Sequence, residues 1–165
     1  MPLPLRLPDY DPADPLAHVV LYQPEIPQNT GNIARTCVAL GAKLWIVEPM
    51  SFSLDQRRVR RAGLDYWPHL DLQLVASWEH LCQQLGDRPM HFLTKFATRG
   101  LDATPTRRGD AFVFGRETSG LPAEVIQPGD PRSVRLPMTD AVRSLNLSNT
   151  VAIALYYHAF HCPTD

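Results

Sequence analysis

The sequence predicts an α/β protein whose mostly parallel sheet is covered by helices on both faces. Apolar runs of strand length alternate with stretches of helical spacing along nearly the whole chain. The strand-like runs are continuously apolar, as is typical of parallel strands that are buried on both faces. The connections between these elements are short, which favours one α/β sheet over separate layers. With 165 residues, the chain is long enough for a single domain with a sizeable core.

The first 17 residues predict an arm in front of this domain. They contain five prolines and three aspartates, so they can form neither a continuous helix nor a continuous strand. We expect an extended arm, 1–17, that is loose by default or lies against the body or a partner. Residues 18–165 then form one domain.

The arm is followed by a strand, a helix and a second strand. His18–Tyr22 and Lys43–Val47 are apolar runs of strand length. Residues 28–41 are expected to form the helix, with Asn29 or Thr30 as its cap and the final glycine as its stop. The crossover between the two strands is expected to be right-handed.

Residues 55–62 (DQRRVRRA) predict a short basic helix. The cluster consists of Arg57, Arg58, Arg60 and Arg61. Helical spacing distributes these arginines over more than one face. The pattern leaves open whether they contact RNA or form a solvated face.

The second half continues the alternation. Residues 77–85 predict an amphipathic helix with Ser77 as its cap. Thr118 or Ser119 is expected to begin a helix through Ile126, which would make Glu117 a first-turn carboxylate. The remaining predicted strands are Met90–Thr94, Ala111–Phe114 and Val134–Leu136.

The last element is a helix that begins near Asn146, where the side chains of Asn146, Ser148 and Asn149 supply helix-start chemistry. Its apolar residues surround the axis on several sides, which predicts a buried helix. These residues include Ile153, Leu155, Tyr156 and Phe160.

Composition and motifs exclude several classes of function. The net charge is −1, so the chain is not a general polyanion binder. Fourteen arginines against two lysines suit phosphate binding, although genome composition explains the ratio equally well. No apolar run approaches the length of a membrane span. The three cysteines are widely spaced and odd in number, which fits the reducing cytoplasm.

The sequence also lacks GxGxxG, the Walker motif, HExxH and GxSxG, and its six histidines have no metal-ligand spacing. We therefore expect no metal. Three polar loops after predicted strands remain: residues 29–36, residues 114–122 and the stretch 135–160. Such loops are where open α/β sheets bind ligands.

The motifs PQNTGNIARTC (27–37), FGRETSGLP (114–122) and RLPM…RSLNLSNTVAIALYY (135–157) occur in this order, and RRAGLDYW (60–67) extends the match. The sequence resembles the SPOUT class of AdoMet-dependent RNA methyltransferases. Within that class it is similar to the small stand-alone tRNA (cytidine/uridine-34) 2′-O-ribose methyltransferases. The resemblance implies a C-terminal deep trefoil knot, S-adenosyl-L-methionine as cofactor, a homodimer, and the anticodon stem-loop of tRNA as partner.

The resemblance also implies roles for individual residues. The cofactor is expected at Thr94, Gly115, Glu117, Leu136, Met138, Ser144 and Leu145. The catalytic candidates are Arg35 and Tyr156. Asn29, Asn32, Arg143 and Asn146 are expected to contact RNA, and the first two could instead organise their loop.

Other functions stay open on the sequence alone. The same chemistry could act at another tRNA or rRNA site, because relatives share the three motifs. A non-catalytic RNA-binding or AdoMet-binding module is a further alternative. The missing GxGxxG disfavours a dinucleotide oxidoreductase.

Overall fold

A computed structural model of the chain describes residues 3–54 and 65–162. Within these ranges six strands form one sheet, and every strand pair is parallel. The strands are β1 (His18–Tyr22), β2 (Lys43–Val47), β3 (Leu72–Val75), β4 (Met90–Leu93), β5 (Ala111–Phe114) and β6 (Ser133–Val134). The helices are α1 (Pro27–Leu40), α2 (Trp78–Leu85) and α3 (Leu147–His161).

The strand order is β3-β2-β1-β5-β4-β6. The chain therefore runs outward from β1 to one edge, returns to the other half, and places β5 beside β1. Open α/β sheets bind ligands outside the carboxyl ends of strands near such a reversal. The carboxyl ends of β4, β5 and β6 are the part of the sheet that carries two of the predicted loops.

Helices cover both faces of the sheet, as predicted. Val19 and Leu21 of β1 pack in the core beneath α1 and α3. Val20 and Tyr22 of the same strand point to the opposite core beneath α2. This alternation follows from the two-residue period of a strand, with both faces apolar because both are covered.

The N-terminal arm lies against the body, which is one of the arrangements that the sequence left open. The Tyr10 hydroxyl donates to Asp71 at 2.6 Å, and the Leu16 N–H donates to the Gly41 carbonyl at 2.8 Å. Leu3 and Leu7 pack against the core beneath α1 and α3. Apolar side chains between the prolines therefore anchor a segment that has no regular structure of its own.

The predicted helix from residue 118 to 126 does not form. Arg116 and Gly120 instead exchange two backbone hydrogen bonds of 3.0 and 3.1 Å, which close a tight turn. Gly120 has a φ of 69°, a left-handed value that a helix cannot continue through. The interpretation of Glu117 as the first-turn carboxylate of a helix is wrong for the same reason.

Three further differences concern one strand that was not predicted and the ends of two elements. The sequence did not predict β3, because Gln73 interrupts its apolar run. In the structure, Leu74 of this strand lies exposed. Helix α1 begins at Pro27, and its N-cap residue Ile26 makes no side-chain cap, so neither Asn29 nor Thr30 is the cap. The last strand ends at Val134, and Arg135 continues only as an isolated bridge to Gly100.

Helix α3 is buried on one side only. Leu155 is fully buried, whereas Ile153, Tyr156 and Phe160 are 47%, 44% and 60% exposed. The prediction of burial all round included a dimer interface, which a single chain does not contain, so it stays a prediction for the exposed side. The predicted basic helix with Arg57, Arg58, Arg60 and Arg61 lies outside the described residues.

Candidate active site

A cavity of about 410 Å³ lies at the carboxyl ends of β4, β5 and β6. All seven residues that were assigned to a cofactor line it: Thr94, Gly115, Glu117, Leu136, Met138, Ser144 and Leu145. They come from three separate loops, which the parallel strands bring to one edge of the sheet. The chain also places Asn29 and Asn146 in the wall of this cavity.

The cavity combines apolar side chains with polar loop groups. Leu93, Phe114, Leu121, Leu136 and Leu145 form its apolar surface. Thr94 and Ser144 supply hydroxyl groups. A mostly apolar pocket with a few fixed polar groups is the usual surrounding of a small organic ligand.

Gly115 is fixed by the tightness of the second loop. A Cβ atom at this position would overlap the backbone of Gly120 and Leu121. Any other residue would therefore open the turn that Arg116 and Gly120 close. The loop needs glycine here because two backbone segments approach each other, independently of any ligand.

The carboxylate of Glu117 binds the start of α1. It accepts hydrogen bonds from the N–H groups of Glu25 and Ile26, at 2.8 and 3.1 Å, and from the Asn29 amide at 3.3 Å. Glu117 thus lines the cavity while its charge is directed to the neighbouring loop. Charge-assisted bonds of this kind are stronger than those between neutral groups.

Asn29 and Asn146 connect the first loop to the third. The Asn146 amide donates to Asn29 Oδ1 at 3.0 Å, and Asn146 Oδ1 accepts from the Ser148 N–H at 2.9 Å. Asn146 is therefore the cap of α3, as the sequence predicted. Asn29 is 5% exposed and bonded on both sides, so its geometry favours the role of organising the loop.

A second set of contacts holds the segment between β1 and α1 to the second loop. Thr118 donates its N–H and its hydroxyl to Glu25 at about 3.0 Å, and these bonds hold the pKa of Glu25 below its usual range. The Arg116 guanidinium donates to Gln23 Oε1 and lies 5.0 Å from the Tyr22 ring. The sequence left the role of Arg116 open, and this contact gives it a structural one.

Four predicted site residues do not line this cavity: Arg35, Asn32, Arg143 and Tyr156. All four are exposed. Arg35 lies on α1 with its Cζ 4.8 Å from the centre of the Tyr66 ring. Tyr156 lies on the exposed side of α3, with its ring 6.2 Å from that of Phe160.

The cavity is also lined by residues to which the sequence assigned no role, among them Phe96 and Arg135, and by Lys95 of the loop after β4. Phe96 is 76% exposed, and Lys95 Nζ lies 5.2 Å from its ring centre. The sequence offered one signal for these residues, which is their position directly after β4 and β6. That position alone does not distinguish residues that line a cavity from residues that face solvent.

No group of three or more His, Cys, Asp or Glu side chains in residues 3–54 and 65–162 is arranged to hold a metal ion. In the same ranges, no helix has the length and apolar character needed to cross a membrane.

The fold and the cavity together define an α/β protein with a cavity of small-ligand size at the carboxyl edge of a parallel sheet. The sequence model of the SpoU rRNA Methylase family matches residues 17–156. The chain belongs to this family, which confirms the family predicted from the three motifs.

Proteins similar to this chain carry more specific descriptions. A tRNA (cytidine(34)-2'-O)-methyltransferase from Methylovorus glucosotrophus is 47% identical over 139 residues, covering 84% of this chain and 90% of its own length. A solved structure described as giving insights into the 2-OH methylation of C/U34 on tRNA is 42% identical. It superposes with a TM-score of 0.80 and covers 87% of this chain and 93% of its own.

A more distant structure shares the fold alone. The AdoMet-bound rRNA methyltransferase from Sinorhizobium meliloti is 21% identical with a TM-score of 0.74. The match covers 94% of this chain but 60% of that one.

Proposed function

We propose that this protein is an AdoMet-dependent methyltransferase that modifies the ribose 2′-hydroxyl of cytidine or uridine 34 in the tRNA anticodon. The observation that carries the proposal is that one cavity gathers all seven residues assigned to the cofactor from the sequence. Relatives that are 42–47% identical are described by this reaction. We include a cytoplasmic location in the proposal, because the proposed substrate is tRNA.

The residues of the cavity fit AdoMet. Its volume of about 410 Å³ lies within the usual range for small-molecule sites. Apolar surface for the adenine ring comes from Leu93, Leu121, Leu136 and Leu145. The polar loop groups of Thr94 and Ser144 line the same cavity. When bound, AdoMet supplies an electrophilic methyl group on a sulfonium.

The protein must position the ribose hydroxyl and remove its proton. Arg35 is the candidate for this task. A guanidinium is a poor base at its ordinary pKa, so Arg35 either orients the hydroxyl and a phosphate or acts as base with help from the RNA phosphate. Tyr156 is the second candidate on the substrate side.

The positions of Arg35 and Tyr156 support a homodimer with shared sites. Both side chains are exposed and outside the cavity of their own chain, on α1 and α3, which pack together. The exposed apolar residues Ile153, Tyr156 and Phe160 form one stripe on α3. A second copy that covers this stripe brings Arg35 to the cavity of its partner, and tRNA then crosses both subunits.

We also infer that the C-terminal segment forms the expected trefoil knot. Residues 132–135 bond on one side to β4, through the N–H groups of Phe92 and Thr94, and on the other to Arg99 and Leu101. The β4–β5 connection therefore encloses the last strand. This enclosure supports the threading of the chain after Arg135.

The reaction is tested with the purified protein, labelled AdoMet and bulk tRNA, followed by nucleoside mapping by mass spectrometry. We expect 2′-O-methylcytidine or 2′-O-methyluridine at position 34. Label at another tRNA position, or in rRNA when rRNA replaces tRNA in the assay, supports the alternative of 2′-O-methylation at another RNA site. Confirmed AdoMet binding without any transfer supports a non-catalytic module.

The role of Arg35 is tested in the same assay. Arg35→Ala and Arg35→Lys are expected to lose nearly all turnover and to bind AdoMet as the unaltered protein does, because Arg35 lies outside the cavity. Full activity in Arg35→Ala excludes this role.

A further inference from the structure

Tyr66 makes two contacts to α1 at the turn that carries Arg35. Its hydroxyl donates to the Gly31 carbonyl at 2.8 Å. Its ring lies beneath the Arg35 guanidinium, with Cζ 4.8 Å from the ring centre. In an α-helix the carbonyl of residue 31 also accepts the N–H of residue 35. One side chain therefore contacts both the backbone turn and the charged group of Arg35.

The backbone of Tyr66 is itself held in place. The His69 N–H donates to the Tyr66 carbonyl at 3.0 Å, within a short 3₁₀ helix over Trp67–His69. Tyr66 and Trp67 pack against the core beneath α1 and α3. The ring beneath Arg35 is thus part of an ordered element, although Arg35 itself is exposed.

The chemistry of the contact suits an arginine that must act on a substrate. The ring occupies the face of the guanidinium and leaves the N–H groups at its edge available. Among the ion pairs found in residues 3–54 and 65–162, none involves Arg35. No carboxylate in those ranges therefore competes with a phosphate or a ribose hydroxyl for this group.

We propose that Tyr66 is a positioning residue that holds Arg35 in the orientation needed at the substrate ribose. This inference rests on the proposed function and on the role of Arg35 there. It also gives a role to Tyr66 of the motif RRAGLDYW (60–67), to which the resemblance assigned none.

The test separates the ring from the hydroxyl. Tyr66→Phe keeps the ring and loses the bond to Gly31, so its single-turnover rate should stay within about threefold of the unaltered protein. Tyr66→Leu loses both contacts, and its rate should fall about tenfold or more, with unchanged AdoMet affinity. Tyr10→Leu is the matched control, because it removes another hydrogen-bonded tyrosine, which joins the N-terminal arm to the body.

A double-mutant cycle shows whether Tyr66 acts through Arg35. Adding Tyr66→Leu to Arg35→Lys should lower the remaining rate by much less than it lowers that of the unaltered protein. Replacing Tyr66 with pentafluorophenylalanine keeps the shape of a ring but removes its attraction for a cation. This variant should lose activity at an unchanged melting temperature.

The possible results distinguish this inference from the proposed function. If Arg35→Ala is inactive while Tyr66→Leu and the fluorinated variant are fully active, the role of Tyr66 is wrong and the proposed function stands. The role of Tyr66 is also wrong if Tyr66→Leu lowers the rate by the same factor in Arg35→Lys as in the unaltered protein. It is wrong as well if the fall in rate is accompanied by equal losses of melting temperature and AdoMet affinity. Full activity of Arg35→Ala removes the basis of both roles.

Discussion

Glu117 stabilises a helix end that has no cap of its own. Ile26 offers no side-chain acceptor and Pro27 has no N–H, while the N–H groups of Glu25 and Ile26 lie just before the first turn. Both donate to the Glu117 carboxylate from a different loop. A residue that lines the cavity thereby fixes the position of the helix that carries Arg35.

Removing this carboxylate should weaken both the fold and the cavity. Glu117→Ala leaves two backbone donors and the Asn29 amide without their acceptor, and we expect the free energy of unfolding to fall by about 1–3 kcal/mol. AdoMet affinity should fall with it in calorimetric titration. Glu117→Gln keeps one acceptor oxygen and should lose less.

Glu124→Ala is the control for this prediction, because its carboxylate accepts one bond, from the Tyr22 hydroxyl at 2.8 Å. It should leave AdoMet affinity unchanged, since Glu124 does not line the cavity. Equal effects of Glu117→Ala and Glu124→Ala on affinity would contradict the linking role of Glu117.

His18 should make the protein sensitive to mild acid. Burial lowers the pKa of His18 to about 4, and its Nδ1 accepts from the Trp45 indole at 2.9 Å. The unfolded chain takes up a proton near the ordinary pKa of about 6.5, whereas the folded chain does not. The contribution of His18 to the free energy of unfolding is therefore fully present above about pH 6.5 and is lost as the pH falls towards 4.

Urea unfolding at several pH values measures this loss, which we expect to reach about 2 kcal/mol for His18. His18→Gln removes one titrating group and should make the profile less steep between pH 6.5 and 4. His69→Asn, at an exposed position, should leave the profile unchanged. Parallel profiles for His18→Gln and the unaltered protein would exclude His18 as the source.

At the scale of elements, the start of α3 serves two purposes through one side chain. Asn146 Oδ1 caps the helix, while its amide donates to Asn29 on α1. The cap is a local feature of the sequence, but the bond to Asn29 joins residues 117 positions apart. The two contacts can be separated by substitution.

Asn146→Asp keeps an oxygen to cap α3 and loses the amide donor. We expect a melting temperature close to that of the unaltered protein and a weaker affinity for AdoMet, because the first and third loops lose their link. Asn146→Ala loses both contacts and should also lose about 1 kcal/mol of stability. Thermal melting and calorimetry measure the two effects. If Asn146→Asp binds AdoMet normally, the link to Asn29 does not organise the cavity.

Local patterns predicted most elements, whereas the residues in the wall of the cavity were predicted from the resemblance to a known family. Continuous apolar runs identified β1, β2, β4 and β5, and Ser77 and Asn146 identified two helix starts. The pattern failed at residues 118–126, because the turn between Arg116 and Gly120 depends on two segments meeting. It also failed at Glu117, whose partners lie about 90 residues away in sequence.

At the scale of the whole molecule, the sequence pointed to burial of α3 on all sides, and a single chain leaves part of it exposed. Ile153, Tyr156 and Phe160 share one face of the helix at a spacing of three and four residues. Exposed apolar groups of this size on one helix face indicate an interaction surface. The proposed homodimer covers it.

A charge on this stripe should break the dimer. Phe160→Glu is expected to run as a monomer in size-exclusion light scattering, because a carboxylate would be buried without a partner. Its methyl transfer should be lost although its own cavity is intact. Leu5→Glu, at an exposed position of the N-terminal arm, is the control and should stay dimeric and active. An active Phe160→Glu monomer would show that each chain works alone.

Mixing two inactive variants tests whether the site is shared between chains. Arg35→Ala leaves its own cavity intact, and Leu145→Glu alters the cavity while keeping Arg35. If Arg35 acts on the cavity of the partner, a mixed dimer has one working site, formed by the cavity of the first variant and Arg35 of the second. After refolding the variants together in equal amounts, half of the dimers are mixed, so activity should return to about a quarter of the normal value. If Arg35 acts on its own cavity, both sites of every dimer carry a defect and the mixture stays inactive.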